Sequence, residues 1–412
     1  MTHTQSTGYD MAIIGGGPSG LMAAQCLAEM GHSVTIYDKM SSLGRKFLLA
    51  GRGGLNLTHT EAIEPFLSRY GADREWMAPM LADFTPQDAQ DWARDLGQEL
   101  FVGTSGRVFP KAMKASPLLR AWLTRLRDLG VQVRLGMNWR GWRADGALLL
   151  VDGATGAEVS LQPDATLLAL GGGSWARMGS DGAWVEALAA KGVAITPLQP
   201  SNCGVEVAWS THFSQRFVGA PLKALAVSCG GAIARGDAIV TARGLEGGAI
   251  YGLGPAVRAG LAAGVAHLQL DLRPDQETVA LAQKLVTAKA GQSLSSALKG
   301  KLNLSSAAIG LLREACGNDL PTSAMGLARL IKAVPIAVTG LAPMARAISS
   351  AGGIEQGALT PDLMLRDLQG VFAAGEMLDW DAPTGGYLLQ ACLATGHRAA
   401  KGMDAWVRSR AV

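Results

Sequence analysis

Blocks of apolar and polar residues along this chain predict a strand–helix–strand beginning. Met11–Ile14 is an unbroken apolar run ending at glycine, the pattern of a strand buried on both faces. An apolar helix follows and ends near Gly31, and Ser33–Asp38 reads as a second strand. Thr85, Pro86 and Asp88 form a capping-box start for a later helix. Val102–Phe109 reads as a hairpin around Gly103–Gly106, Pro117–Leu129 as an amphipathic helix and Val131–Leu135 as a strand. Trp139, Trp142 and a turn at Asp152-Gly153 belong to a small β meander. Ala165–Leu170 is a further buried strand running into Gly171-Gly172-Gly173-Ser174, and Ser180-Asp181 is expected to cap a helix through Lys191.

At Pro197 the texture changes. From Asn202 to about Arg273 the chain alternates short strands with glycine turns. Gln276–Lys289, Ser305–Cys316 and Thr322–Ala333 then carry helical periodicity, with Ser or Thr starts and Gly or Pro stops. Leu368–Ala374 is again a buried strand, and a long Ala-rich helix follows Pro383-Thr384-Gly385-Gly386-Tyr387. The expectation is an α/β, Rossmann-like two-dinucleotide-binding domain with an inserted β-barrel and three-helix bundle. Its parts are expected at 1–196, 197–274 (barrel), 275–332 (bundle), 333–342 (return strand) and 343–412.

Gly15, Gly17 and Gly20 have the G-x-G-x-x-G spacing between the first strand and helix. In that motif the first glycine makes the turn, the second admits a pyrophosphate and the third lets helix and strand approach. Pro18 suits the first helical turn, and the free N–H groups there, with Ser19, make an anion seat. Asp38, with Lys39 beside it, stands where a carboxylate takes ribose hydroxyls. Ile250–Gly254 before a helical run, with Asp271 ending the strand Leu268–Leu272, imitates a second such unit. However, Val257 stands where the third glycine belongs, so no second nicotinamide-binding Rossmann unit is expected.

Composition narrows the chemistry. The 412 residues, 48% hydrophobic and 17% charged, suffice for two or three domains, and a net charge of +3 does not by itself imply nucleic acid. Five scattered cysteines without a C-x-x-C pair exclude a dithiol electron relay, a zinc site and a disulfide framework, as in a reducing cytoplasm. The stretch Met1–Gly8 lacks the pattern of a signal peptide. No apolar run reaches the roughly 18 residues of a membrane span. Neither membrane nor DNA is an expected partner.

Ser41–Thr60 is too glycine-rich for a helix and too long for an idle connector. Gly44, Gly51, Gly53 and Gly54 allow close backbone approach, Arg45, Lys46 and Arg52 supply cations, and Asn56 and Thr58 supply neutral hydrogen-bonding groups. This G-R-K loop resembles that of the BaiN/YhiN-like NAD(P)/FAD-dependent oxidoreductases. The stretches Gly106-Arg107-Val108-Phe109-Pro110, Lys114-Ala115-Ser116 and, most closely, Gly370–Gln390 are also similar to that family. Where most members continue Arg-Cys-Asn, this chain has Gly54-Leu55-Asn56, which marks a subgroup.

The resemblance implies FAD, extended from Asp38 across Gly15–Gly20, with backbone near Trp139 at the adenine and Gly171 and Gly172 skirting the cofactor. It places Gly375, Glu376 and Asp379 near the pyrophosphate and ribityl chain. The ring would lie between the Arg45–Thr58 loop and Thr384, Gly385, Gly386 and Tyr387. The implied activity is hydride transfer, with NAD(P)H as transient reductant and a small organic substrate such as an amine, ketosteroid or enone. Reduction of uracil in structured RNA is the alternative; Arg273–Lys332, with eight Lys/Arg against four Asp/Glu, would be the contact. A non-catalytic flavin-binding protein is the third reading. The six histidines are dispersed, and no residue is singled out as catalytic.

Overall fold

The computed structural model describes residues 8–51, 53–287, 292–317 and 319–410. Arg52 and Lys289 therefore lie outside the described residues. The chain divides into two compact units, an outer one up to Gln199 and again from Ser349, and an inserted one, Pro200–Ile348. The division comes later than the expected 197 and 342. Pro197 does not end its segment: it lies within the strand Ile195–Ser201, which pairs with Ser349–Ile354 in a two-stranded sheet. Such an edge position tolerates proline.

The outer unit is built on β1 (Asp10–Ile14), α1 (Pro18–Glu29) and β2 (Ser33–Asp38). Its five-stranded sheet runs Val371–Ala373, Ala165–Leu168, β1, β2, Gln132–Leu135, with all neighbours parallel. From β1 the chain moves one way to β2, and Ala165–Leu168 lies on the other side. The topological switch point is therefore between β1 and Ala165–Leu168, where open α/β sheets bind ligands beyond their strand ends. The C-terminal helix Tyr387–Ser409 packs along α1, and both bury small residues, Ala23 and Ala24 on one and Ala391 and Ala394 on the other.

Two local expectations fail here. The loop after β2 contains a short helix, α2 (Arg45–Ala50). Gly44 enters it with a φ of 67°, a left-handed conformation that favours glycine, and a Cβ there would also press on the Leu119 methyls, so a glycine starts the turn rather than breaking it. Likewise Ser180-Asp181 does not cap the next helix, which is Trp184–Ala189 with Ala183 at its start. The Ser180 hydroxyl donates to the Gly172 carbonyl, and Asp181 accepts from Ala183 N–H while pairing with Lys39 at 2.6 Å. The capping box does form, with Thr85 and Asp88 bonding reciprocally.

The inserted unit carries a seven-stranded sheet whose pairs are antiparallel. The two ends of its strand order, Val334–Val338 and Gly340–Leu341, are consecutive in the chain, with Thr339 N–H bonded to Glu206 O between them. Four helices stand where three were expected: Thr278–Val286, Leu294–Leu302, Ser306–Cys316 and Ala324–Lys332. The unforeseen one, Leu294–Leu302, is short and polar; Ser293 caps it and Leu298 and Leu302 bury in the apolar core. The imitation of a second nucleotide unit dissolves, because Ala266–Asp271 is antiparallel to both neighbours. Asp271 instead accepts from Lys332 at 2.6 Å, and Lys332 also reaches the carbonyls of Arg273 and Gln276. Among the described residues no helix is long and apolar enough to cross a membrane.

Candidate functional site

A cleft of about 640 Å³ opens beyond the strand ends of the outer unit. Its lining comes from the exits of Val371–Ala373, Ala165–Leu168, β1 and β2, four neighbours in the sheet. Three strand spacings amount to roughly 14 Å, the reach of an extended rather than a compact ligand.

The glycines of the first turn divide their labour in a way the structure resolves. A Cβ on Gly15 (φ 111°) would sit 2.2 Å from Ala169 O, and one on Gly20 would sit 2.0 Å from Gly15 O. Both are required by packing. A Cβ on Gly17 would meet nothing within 4 Å, and Gly17 has an ordinary extended backbone. Among the described residues no protein contact explains that glycine, and the space beside it opens on the cleft. The Gly17 position begins α1 without any side-chain cap, so the helix presents its first N–H groups to the cleft.

Asp38 lies at the next strand exit, where its carboxylate accepts from Gly16 N–H at 2.8 Å and Met40 N–H at 2.7 Å. Burial pushes its pKa above the usual range, and those two hydrogen bonds oppose the shift. Lone pairs remain on both oxygens for hydroxyl donors. Trp139 lines the cleft with its ring edge-on to Trp142. Its indole Nε1 and the Arg45 Nε, also on the cleft, are buried without a partner among the described residues. Donors left unmatched in this way fit a bound polar group.

Lys46 and Glu376 meet at the cleft, an ion pair from α2 and the segment after Val371–Ala373. Lys46 also donates to Ser174 Oγ at 2.7 Å, and Glu376 accepts from Ser350 N–H at 3.0 Å. The Ser350 hydroxyl accepts from Gly173 N–H, and a Cβ on Gly172 would overlap it. Nothing in the spacing of Ser174 or Ser350 marks them in the sequence. Cys392, on the C-terminal helix, is the cysteine of the lining; burial pushes its thiol up to about 12, so it stays protonated.

The cleft therefore brings together Gly15, Gly17, Pro18, Ser19, Asp38, Lys39, Arg45, Lys46, Trp139, Gly171 and Glu376. Other expected residues stand outside its lining. Gly20 packs on β1, Gly51 ends α2 against Ala115, and Gly375 donates to Thr395 Oγ1. Gly172 packs on Ser350, and Asp379 accepts from Thr196 at 2.6 Å. The Asn56 Oδ1 atom is buried without a partner among the described residues.

A second group gathers at β3 (Thr58–His59) and the start of the C-terminal helix. Gly385 and Gly386 follow Thr384 with φ of 119° and 107°, and the Gly386 backbone lies on that of Thr58. Thr58 Oγ1 donates to Gln390 at 2.9 Å. The Tyr387 hydroxyl donates to Glu61 at 2.5 Å, its carbonyl accepts from Tyr70, and its ring stacks on His59.

Burial raises the Glu61 carboxyl, but hydrogen bonds from Arg69 and Tyr387 outweigh it and leave the pKa below the usual 4.5. A depressed carboxylate stabilises the fold above its unfolded pKa and stops doing so as pH falls through the folded value. Glu61→Gln is therefore expected to lower the melting temperature at neutral pH, with the gap from wild type closing as the pH drops below 4.5. Thermal melts across that range check it; a gap that stays constant would show that Glu61 contributes no charge to the network.

Fold and family together make this a Rossmann-type flavoprotein. The chain belongs to the HI0933-like protein Rossmann domain family, whose model matches residues 9–402. It is 25% identical over 413 residues to the 3-dehydro-bile acid delta(4,6)-reductase of Clostridium scindens, covering 95% of this chain and 98% of that one. A shorter stretch of 49 residues, 12% of each chain, is 47% identical to the ribosomal RNA dihydrouridine synthase of Haemophilus influenzae. Among solved structures, the 3-ketosteroid delta1-dehydrogenase of Sterolibacterium denitrificans shares the fold with a TM-score of 0.54 at 12% identity, covering 96% of this chain and 99% of that one.

Proposed function

We propose that the cleft holds FAD and that the protein is an FAD-dependent oxidoreductase passing hydride from NAD(P)H to a small, largely apolar conjugated ketone. The observation that carries this reading is Gly17: a glycine with an unstrained backbone and empty space before it, at the switch point of a parallel sheet. In this reading Asp38 takes the ribose hydroxyls, and the α1 N-terminus with Gly17 takes the pyrophosphate. Arg45 and Trp139 offer their unmatched donors, and Lys46 and Glu376 face the ribityl chain. The flavin, when bound, supplies the hydride chemistry. The chain's own residues hold it, orient it and exclude water. A ketone substrate is supported by the end-to-end similarity to the bile acid reductase.

The RNA alternative draws less support. Of the eight basic residues in 273–332, Arg273 and Lys332 spend their hydrogen bonds on backbone carbonyls, Lys284 on Gln276 and Arg313 on Ser295. These four are held by the insertion's own groups rather than left for a phosphate backbone.

Acid precipitation of the purified yellow protein is expected to release FAD. Protein reduced anaerobically with NADH or NADPH is then expected to be reoxidised by 4-androstene-3,17-dione and not by ribosomal RNA. Absence of flavin, or release of FMN, sinks the cofactor assignment. Reoxidation by RNA and not by the ketone sinks the substrate assignment.

A further inference from the structure

The Gly106–Pro110 stretch has no part in the cleft, yet its arginine occupies a particular place. Arg107 begins the strand Arg107–Pro110, which pairs with β3 in the register His59↔Arg107 and Thr58↔Val108. The same β3 backbone receives Gly386. Across this junction the Arg107 guanidinium lies on Gly385: a Cβ there would be 3.2 Å from Nε and 3.7 Å from Cζ. The φ of 119° at Gly385 is what calls for glycine at this turn.

The guanidinium is exposed. Among the described residues, no hydrogen bond, ion pair or ring contact engages it. The neighbouring carboxylate, Glu61, is already held by both Arg69 and Tyr387. A cation laid across a backbone turn, with its donors unused and the local acid committed elsewhere, is equipped to receive an anionic oxygen from outside the protein.

The position relative to the cleft is fixed by the C-terminal helix. Cys392 lines the cleft and lies five residues beyond Tyr387, about 7.5 Å along the helix from its first turn. An extended cofactor leaving the cleft by Cys392 toward the helix start brings its ring to the Gly385–Gly386 turn. That step rests on the FAD reading given above.

We propose that Arg107 is a catalytic cation: it takes the oxygen on which negative charge develops when hydride moves at the Gly385–Gly386 turn. Two oxygens share this chemistry. One is the pyrimidine carbonyl of the flavin, which becomes electron-rich on reduction. The other is the carbonyl of an enone: hydride added at its β-carbon pushes the C=C pair onto oxygen, and the enolate then takes a proton from water at the α-carbon. NAD(P)H supplies the two electrons. A fixed donor at such an oxygen is worth most where charge appears only during the reaction.

The test uses the FAD-loaded protein, with Arg107→Gln to remove the charge and Arg107→Lys to restore it. FAD content, midpoint potential, sulfite affinity and affinity for 4-androstene-3,17-dione (read from the flavin visible band) are measured for each. Arg107→Gln is expected to keep its FAD and to lose about tenfold or more in affinity for sulfite or for the ketone, with Arg107→Lys recovering most of it. Weaker sulfite binding with a lower potential assigns the flavin carbonyl. Weaker ketone binding with both of those unchanged assigns the substrate. The proposal is overturned if Arg107→Gln matches wild type in all three measurements, or if it loses FAD, which would make Arg107 a holder of the cofactor. A wild-type protein that never takes up FAD overturns the earlier reading of the cleft instead.

Discussion

Gly17→Val is expected to purify colourless while remaining folded, and Gly20→Val to fail before cofactor loading becomes a question. The two glycines are three residues apart in one motif, yet the structure gives them unrelated duties. At Gly17 the added side chain enters open space and the backbone is one that any residue adopts. The apoprotein should therefore lose only about 1 kcal/mol, the cost of a poorer N-cap residue. The valine methyl groups would stand where the pyrophosphate must approach the helix N-terminus, so FAD is excluded. At Gly20 the Cβ would lie 2.0 Å from Gly15 O and 3.2 Å from Ile13. Relief requires α1 to move off β1, and overpacking of this kind costs about 3 kcal/mol or more. Flavin content by absorbance and unfolding of the apoprotein by urea distinguish the cases. A yellow Gly17→Val protein would place the cofactor elsewhere.

Joining residue 199 to residue 349 through a short Gly/Ser linker is expected to leave a folded protein that still binds FAD. The inserted unit has its own apolar core, around Leu225, Val227, Leu268 and Ile336. Its removal leaves the core of the outer unit with all its members. The strands entering and leaving it, Ile195–Ser201 and Ser349–Ile354, lie side by side in one small sheet, so a short linker spans the gap without strain. All the residues lining the cleft remain. Insoluble protein, or soluble protein without a cooperative melt, would show that the outer unit needs the insertion in order to fold.

The features legible in the sequence were those set by local pattern. The β1–α1–β2 start, the capping box at Thr85 and the hairpin before Phe109 depend on residues close together in the chain, and they stand as read. What escaped depends on partners far away. Gly44 looks like a helix breaker until the Leu119 methyls are seen beside the place a side chain would take. Asp181 looks like a cap until Lys39 is placed beside it. The Lys46–Glu376 pair spans 330 residues of sequence, with Ser174 and Ser350 joining it from two further segments. Arg107 passed as one residue in a family-like stretch, because its role depends on which turn it lies across. The short helix Leu294–Leu302 was missed for the opposite reason: its sequence is too weakly patterned to announce itself without the core that it covers.

The strand order of the outer unit also dictates a timetable for biosynthesis. Strand Val371–Ala373 forms one edge of the parallel sheet, and the helix that packs along α1 is the last element of the chain. A chain emerging from the ribosome, at about 5–20 residues per second, completes the inserted unit while the outer sheet still lacks that strand and that helix. Glu376 and Cys392, two walls of the cleft, lie on the segments that follow Val371–Ala373, so the cleft stays open on that side until this strand and the C-terminal helix have joined the sheet.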